Sequence, residues 1–220
     1  MQSIKTIYKI GPGPSSSHTF GPMMASKYIN EQYPEATNFK ITLFGSLALT
    51  GKGHLTDKII LKTLGTSKCE IIFDMKTPVE HPNTMIIEVF DKDTKIAEHT
   101  FVSIGGGKIE IDGKKGNVDP EIYPHTKMDD IQVYCNERHL RLDQYIDEVE
   151  DSDFDSYMNQ IFKQMLKTVN TGLKKTGVLP GSLKIDRVAH ALHQSAQSCS
   201  DIQDKNSLLL SSYAYAANEQ

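Results

Sequence analysis

Apolar and polar residues alternate from Phe39 to Phe44 (Phe-Lys-Ile-Thr-Leu-Phe), a period of two that predicts a half-buried strand. The same pattern gives strands over Met85 to Phe90 and Ile96 to Ile104, and a shorter one over Lys108 to Ile111. Asp91-Lys92-Asp93-Thr94 is a hairpin turn candidate between the first two, and Asp112-Gly113 is a second turn signal. Over residues 46–64 the period lengthens. Leu47, Leu49, Leu55, Ile59, Ile60 and Leu64 come close to helical spacing, with two glycines weakening the first turns. Met23 to Tyr33 is compatible with a helix, and Pro22 fits its first turn, where a missing N–H costs nothing. After Pro124 the texture becomes helical. Glu137 to Val149 and Phe154 to Lys175 carry apolar residues three and four apart, with Asp151-Ser152-Asp153 as cap candidates for the second. Gly177-Val178-Leu179-Pro180-Gly181 ends that helix, and a last apolar segment, Leu208 to Ala217, meets no cap or stop. Such an end reads as a truncated helix or as a frayed terminus. The pattern therefore predicts an α/β region over residues 1–135 and a helical region over 136–220.

Composition narrows this picture. The 220 residues are 38% hydrophobic with a net charge of −4, enough for one domain and part of another. No run of eighteen apolar residues occurs, so no membrane span is expected. Met1-Gln2-Ser3-Ile4-Lys5 lacks a charged start followed by an apolar block, which predicts no secretory signal. Cys69, Cys135 and Cys199 are widely separated, form no C-x-x-C pair and are odd in number. A disulfide framework is not expected, and a reducing cytoplasm fits best. The slight acidity gives no electrostatic reason to expect nucleic acid.

Three clusters carry candidate chemistry. In Gly11-Pro12-Gly13-Pro14-Ser15-Ser16-Ser17-His18-Thr19-Phe20-Gly21-Pro22, three hydroxyls and an imidazole precede a helix start. Free N–H groups there attract anions and short hydroxyls add donors without bulk, so a small carboxylate or phosphate is the natural guest; an N-cap with spare serines is the alternative. The second cluster, Phe44-Gly45-Ser46-Leu47-Ala48-Leu49-Thr50-Gly51-Lys52-Gly53-His54-Leu55-Thr56-Asp57, lies where a strand passes into a helix. His54 with Asp57 three residues on has the spacing of a general base and its orienter, or of a solvated surface histidine. Lys52 is an anion partner or a surface charge. The third, Ser103-Ile104-Gly105-Gly106-Gly107, can form an anion-binding nest or a tight bulge. It is no dinucleotide fingerprint, because the required glycine spacing and following helix are missing. Asn83, in His81-Pro82-Asn83, is a turn residue or a polar site contact.

Taken together these blocks carry a resemblance. Gly13 to Thr19 with Gly21-Pro22-Met23 resembles the N-terminal signature of the iron–sulfur-dependent L-serine dehydratases, or L-serine ammonia-lyases. Gly45 to His54 with Thr56-Asp57 resembles that family's second signature, and His81-Pro82-Asn83 and Ser103 to Gly107 resemble two more. Gly177 to Gly181, Leu183 and Ala216-Ala217-Asn218-Glu219 resemble the opening of its catalytic domain. The resemblance implies a serine dehydratase β domain of α/β (α+β) class over 1–135, similar to the allosteric substrate-binding domain of phosphoglycerate dehydrogenases. A helical linker and the start of an incomplete α domain would follow over 136–220. It further implies conversion of L-serine to pyruvate and ammonia in amino-acid catabolism feeding gluconeogenesis, in a cytoplasmic homodimer. A [4Fe-4S] cluster in the α domain would bind the substrate hydroxyl. By position, His54 would be the base that removes the α-proton. Ser15, Ser16, Ser17, His18 and Thr19 would hold the serine carboxylate, and Asn83, Gly105, Gly106 and Gly107 would shape the pocket. The family's cluster cysteines lie beyond Gln220, and Cys69, Cys135 and Cys199 do not match them, so no metal ligand is expected within this chain. Lys184-Ile185-Asp186-Arg187 is also less basic than the family leads one to expect. The competing reading is a non-catalytic regulatory module that binds serine or another small anion.

Overall fold

The computed structural model describes residues 1–116, 119–180 and 184–219. Gly181 and Leu183, two positions of the resemblance, lie outside the described residues. The fold is mixed α/β, and its contacts separate the chain into two units.

The first unit comprises Gly11–Gly116 with the described residues of Gly177–Asp186. Its elements are α1 (Gly21–Gln32), β1 (Asn38–Phe44), α2 (Gly45–Thr50), α3 (Thr56–Leu64), β2 (Cys69–Asp74), β3 (Thr84–Asp91), β4 (Thr94–Gly105), β5 (Lys108–Ile111) and β6 (Lys114–Lys115). The six strands form one sheet in the order β2-β1-β3-β4-β5-β6. Among the described strands only β1 and β2 run parallel, joined through α2 and α3; the other neighbours are antiparallel. Alternation decides which face is buried. Phe39, Ile41 and Leu43 of β1 pair with Val89, Ile87 and Met85 of β3, and Met85 pairs with Phe101 of β4. All seven are buried, together with Ala25 and Ile29 of α1, Leu47 of α2, and Ile59 and Ile60 of α3. Each such large side chain contributes about 1.5–3 kcal/mol of burial.

The expected strands are all present. The turn at Asp91–Thr94 closes the β3–β4 hairpin with Lys92 at φ 54°, and Asp112-Gly113 turns β5 into β6 with both residues at positive φ. Residues 46–64 are not one helix. Two helices are separated by a turn in which Leu55 takes φ 58°, so the glycines interrupt the helix rather than weaken it. β2 has no counterpart in the expected pattern. Cys-Glu-Ile-Ile-Phe-Asp does not alternate: on this edge strand every residue but exposed Glu70 is half-buried, whichever face it takes.

The second unit comprises Met1–Ile10 and the described residues of Asn117–Thr176 and Arg187–Gln220. It holds α4 (Met128–Glu137), α5 (Leu142–Val149), α6 (Phe154–Gly172), α7 (Ala189–Ser198) and α8 (Ile202–Glu219). The helix expected over 137–149 is corrected: Glu137 ends α4 and α5 starts at Leu142. Between them His139 takes φ 57° and the Leu140 amide donates back to the Cys135 carbonyl at 2.8 Å. Tyr123, Ile131, Cys135 and Tyr145 make this unit's buried cluster. The N-terminal segment is tied to Glu150. Ser3 Oγ and the Ile4 amide donate to its two carboxylate oxygens at 2.6 and 2.8 Å, and Tyr123 Oη donates at 2.8 Å. Glu219 accepts from the amides of Val188 and Ala189 and so caps the start of α7. Among the described residues no helix is long and apolar enough to cross a membrane.

Candidate functional site

The sequence blocks at residues 11–22, 44–57, 81–83 and 103–107 are far apart in the chain, yet the first unit's topology brings them to one end of the sheet. β1 ends at Phe44, where the second block begins; β3 starts just after Asn83; β4 ends at Gly105. α1 begins directly after the serine block.

The serine block folds as a single turn of π-helix, Ser16–Phe20, continuous with α1. Ser15 caps it: its Oγ accepts the His18 amide at 3.0 Å, and its carbonyl accepts the Thr19 and Phe20 amides, both at 3.0 Å. Ser15 acts as an N-cap, while Ser16 and Ser17 stand in the first turn, where backbone amides have no intrahelical acceptor. Thr19 is buried, and its hydroxyl donates to the His54 carbonyl at 2.9 Å. Buried Thr56 donates to the His18 carbonyl at 2.5 Å. These two bonds lock the first block to the second through main-chain acceptors.

The imidazoles of His18 and His54 face one another with ring centroids 4.7 Å apart. His18 Nε2 is hydrogen-bonded to Ser46 Oγ at 2.9 Å. Burial, then the neighbouring His54, holds the His18 imidazole below its ordinary pKa, favouring the neutral ring. The expected His54–Asp57 pair is replaced. His54 Nδ1 lies 3.0 Å from the Thr50 carbonyl, whereas Asp57 accepts the Lys58 amide. A carbonyl only accepts, so Nδ1 carries the proton and Nε2 is left as the basic nitrogen. Thr50 thus orients the ring in the role expected of Asp57. The cause is local: the turn before α3 returns the His54 amide and ring to Thr50 rather than forward along the next helix. Lys52 is exposed and sits over the Phe73 ring at 5.2 Å, a surface placement.

The glycine loop closes the other side. Gly105, Gly106 and Gly107 take φ of 96°, 59° and 73°, conformations that disfavour any side chain. They form the bulged β4–β5 turn, with the register shifting between Ser103 and Gly105. A methyl at Gly107 would overlap the Phe20 ring, and one at Gly21 would overlap Ser103 Oγ. Glycine is therefore required on both sides of the contact between α1 and the hairpin. Asn83 Nδ2 donates to the Ser103 carbonyl at 3.3 Å, and its own carbonyl accepts the Ser103 amide at 3.0 Å. Ser103 was not among the expected ligand contacts. It is fully buried, and its Oγ has no hydrogen-bond partner. Its signal in the sequence was its place at the head of the glycine block. Ser46 and Thr56 were signalled only by lying inside the second block.

Among the described residues no group of three or more His, Cys, Asp or Glu side chains could hold a metal ion. The cysteines do not suit an iron–sulfur cluster either. Burial pushes the Cys69 thiol up to about 11, Cys135 lies in the Tyr123–Tyr145 cluster, and Cys199 caps α7, with its thiol 3.5 Å from the Asp201 carbonyl.

Residues 3–72 match the serine dehydratase beta chain family. The chain is 30% identical to L-serine dehydratase 2 of Escherichia coli and 26% identical to an L-serine dehydratase of Haemophilus influenzae, in each case over all of this chain and 60% of the relative. An L-serine dehydratase of Helicobacter pylori is 30% identical over 86% of this chain and 53% of its own length. The chain thus spans little more than half the length of these relatives.

Proposed function

We propose, from the premise that this chain is a relative of the L-serine dehydratases with a beta-chain segment over residues 3–72, that it is the substrate-binding portion of an L-serine ammonia-lyase. The overall reaction converts L-serine to pyruvate and ammonia. The observation that carries the reading is the pair of facing imidazoles at the start of a serine-rich helix turn, one of them with its Nε2 left basic by the Thr50 carbonyl.

In this reading the amides and hydroxyls of Ser15 to Thr19 hold the substrate carboxylate at the positive end of the helix. His18, kept neutral and bonded to Ser46, adds a donor or acceptor without adding charge. His54 Nε2 takes the α-proton, whose weak acidity requires both a placed base and a fixed carboxylate. Asn83 and Gly105 to Gly107 shape the wall, and Ser103 Oγ supplies a further hydroxyl. The relatives' family leads us to place a [4Fe-4S] cluster in the complete enzyme. Among the described residues no group of side chains fits it, and departure of the hydroxyl is not assigned to this chain. The proposal extends to a homodimer in the cytoplasm, to a β-domain likeness with the substrate-binding domain of phosphoglycerate dehydrogenases, and to a family division of 1–135 and 136–220. The packing units cut the chain elsewhere, setting Met1–Ile10 and the described residues of Asn117–Thr176 with the helices and those of Gly177–Asp186 with the sheet.

Calorimetric titration with L-serine, D-serine and L-alanine tests the site. L-serine should bind best, and Ser16→Ala or His18→Ala should weaken it, whereas His54→Ala should leave affinity nearly unchanged. Equal binding of D-serine, or none of L-serine, would overturn the reading. On its own the chain should neither assemble a cluster on anaerobic reconstitution with iron and sulfide nor form pyruvate. Stoichiometric cluster with turnover would contradict the assignment of the cluster ligands to residues outside this chain.

A further inference from the structure

On the same unit, away from the facing imidazoles, three titratable side chains form an unbroken hydrogen-bonded line. His99 of β4 donates from Nδ1 to Asp112 Oδ2 at 2.7 Å, and its Nε2 is 2.7 Å from Tyr33 Oη. With Nδ1–H given to the carboxylate, Nε2 of the neutral ring accepts the phenol proton. Asp112 is itself fixed, because its Oδ1 accepts the Thr100 amide at 2.8 Å and its own amide donates to the Thr100 carbonyl at 2.8 Å. The His99 ring is further packed by Tyr28 of α1, edge-on at 5.9 Å, and by Phe101. None of these residues belongs to a sequence block that carried the functional reading.

What the line connects is specific. Tyr33 is the C-cap of α1, whose first residue, Gly21, abuts Ser103. Asp112 follows β5, which leaves the glycine loop, and His99 precedes Ser103 on β4. The same helix and the same hairpin therefore meet twice. At the site they meet through contacts that tolerate no extra atom, Gly21 against Ser103 and Phe20 against Gly107. At the other end they meet through Tyr33, His99 and Asp112. Ala25 and Ile29 hold α1 on the core along its length, but apolar contacts are not directional, and a shift of a fraction of an ångström parts contacts as close as those at Gly21 and Gly107, so a hydrogen-bonded line at the C-terminal end adds a fixed register.

We propose that the Asp112–His99–Tyr33 line is a positioning device that sets the register of α1 on the β4–β5 hairpin and so holds the serine turn and the glycine loop together as one anion site. The inference rests on the reading of that site as a carboxylate cradle and adds the residues that keep its two halves in place.

Amide hydrogen exchange on the full chain tests it without needing a ligand. His99→Phe removes both polar contacts and keeps ring packing against Tyr28 and Phe101. It should speed exchange at His18, Thr19, Phe20 and Gly105 to Gly107 by about tenfold, the order expected for losing one or two net hydrogen bonds. Exchange at Ile41 and Ile87, in the middle of β1 and β3, should not change. Tyr33→Phe, the milder variant, should act at the same amides to a smaller degree. Asp112→Asn keeps one oxygen for the Thr100 amide but turns an amide nitrogen towards His99 Nδ1, so it should also act at the same amides, more weakly than His99→Phe. Unchanged site amides, or acceleration spread evenly over β1 and β3, would overturn the proposal, the second result marking a merely structural role. L-serine titration separates the two readings. If wild type binds and His99→Phe binds several-fold more weakly, both stand. If wild type does not bind, the carboxylate reading fails while the exchange data still decide the coupling.

Discussion

At the scale of single residues, the two histidines of the site divide the work by their second partners. The Thr50 carbonyl fixes the His54 tautomer, whereas His18 is depressed by burial and by His54 itself. A histidine whose folded pKa lies below its unfolded value of 6.5 binds its proton less readily in the native state. As pH falls through that value the unfolded chain takes the proton first, so stability is complete above about 6.5 and declines below it until the folded pKa is passed. Urea midpoints measured from pH 7.5 to 5.5 should fall, and His18→Asn should flatten the lower part of the profile; an unchanged slope would show that His18 is not the group responsible. Ser103 makes a different prediction. A buried hydroxyl without a partner costs about 1–3 kcal/mol, so Ser103→Ala should leave stability unchanged or raise it by about 1 kcal/mol. The same substitution should weaken L-serine binding, and this split between stability and affinity is what a hydroxyl kept for a ligand entails. On the proposed reading of His54 as general base in a cluster-bearing lyase, its loss costs about 10²–10⁴-fold in rate, so His54→Ala should collapse kcat with cluster absorbance intact. More than about a tenth of wild-type kcat would move the role to His18.

At the scale of elements, the strands were readable because one face of the sheet is buried and the other is not. β1, β3 and β4 announce themselves by alternation, and β5 has the boundaries expected for it. β2 and α7 were not legible, for opposite reasons. β2 is half-buried at every position but Glu70 and so lacks alternation, and Ala-His-Ala-Leu-His-Gln-Ser-Ala-Gln-Ser presents too little apolar surface to show a helical stripe. The helix expected over 137–149 holds as α5 but misses the break at 138–141, because apolar spacing continues across it where the backbone turns. In the site, every expected substrate contact among Ser15 to Thr19, Asn83, Gly105 and Gly106 stands at the same end of the sheet as His54. The Asp57 partner failed because spacing alone cannot tell a side-chain acceptor from a carbonyl four residues back. Glu150, by contrast, had no sequence signal. Burial pushes its carboxyl up, but bonds from Ser3, the Ile4 amide and Tyr123, with the charge of Lys5, outweigh this and hold it below its ordinary value. Its contribution is therefore present above about 4.5 and lost as pH falls further. Glu150→Ala would leave three donors without an acceptor at the N-terminal segment and should cost about 3 kcal/mol in urea unfolding, with amides of residues 3–6 losing protection first. A loss below about 0.5 kcal/mol, the scale of an ordinary surface substitution, would show that water replaces the carboxylate at no cost.

At the scale of the whole molecule, the two units differ in how each hides its apolar surface. In the sheet unit, residues from three strands and three helices form one continuous buried cluster. In the helical unit, the buried cluster of Tyr123, Ile131, Cys135 and Tyr145 is small, while Phe162, Met165 and Leu166 of α6 and Leu210 and Tyr213 of α8 remain exposed. Buried apolar area is the main favourable term in folding, and large exposed apolar side chains contribute little to it, so the helical unit should open at lower free energy than the sheet. The native cysteines make this measurable without introducing a probe site. Cys135 sits in the helical cluster with 8% exposure, and Cys69 is in β2. Pulsed thiol modification across a urea series should therefore expose Cys135 at a lower midpoint than Cys69. Hydrogen exchange at the same urea concentrations should keep Ile41 and Ile87 protected after Ile131 and Tyr145 have lost protection. Because the Cys69 thiol is raised to about 11 by burial, its labelling has to be normalised to the fully unfolded chain at each pH, or slow chemistry would pass for protection. Coincident midpoints for both thiols and all four amides would mean that the chain unfolds as one cooperative body and that the exposed apolar faces of α6 and α8 do not weaken their unit.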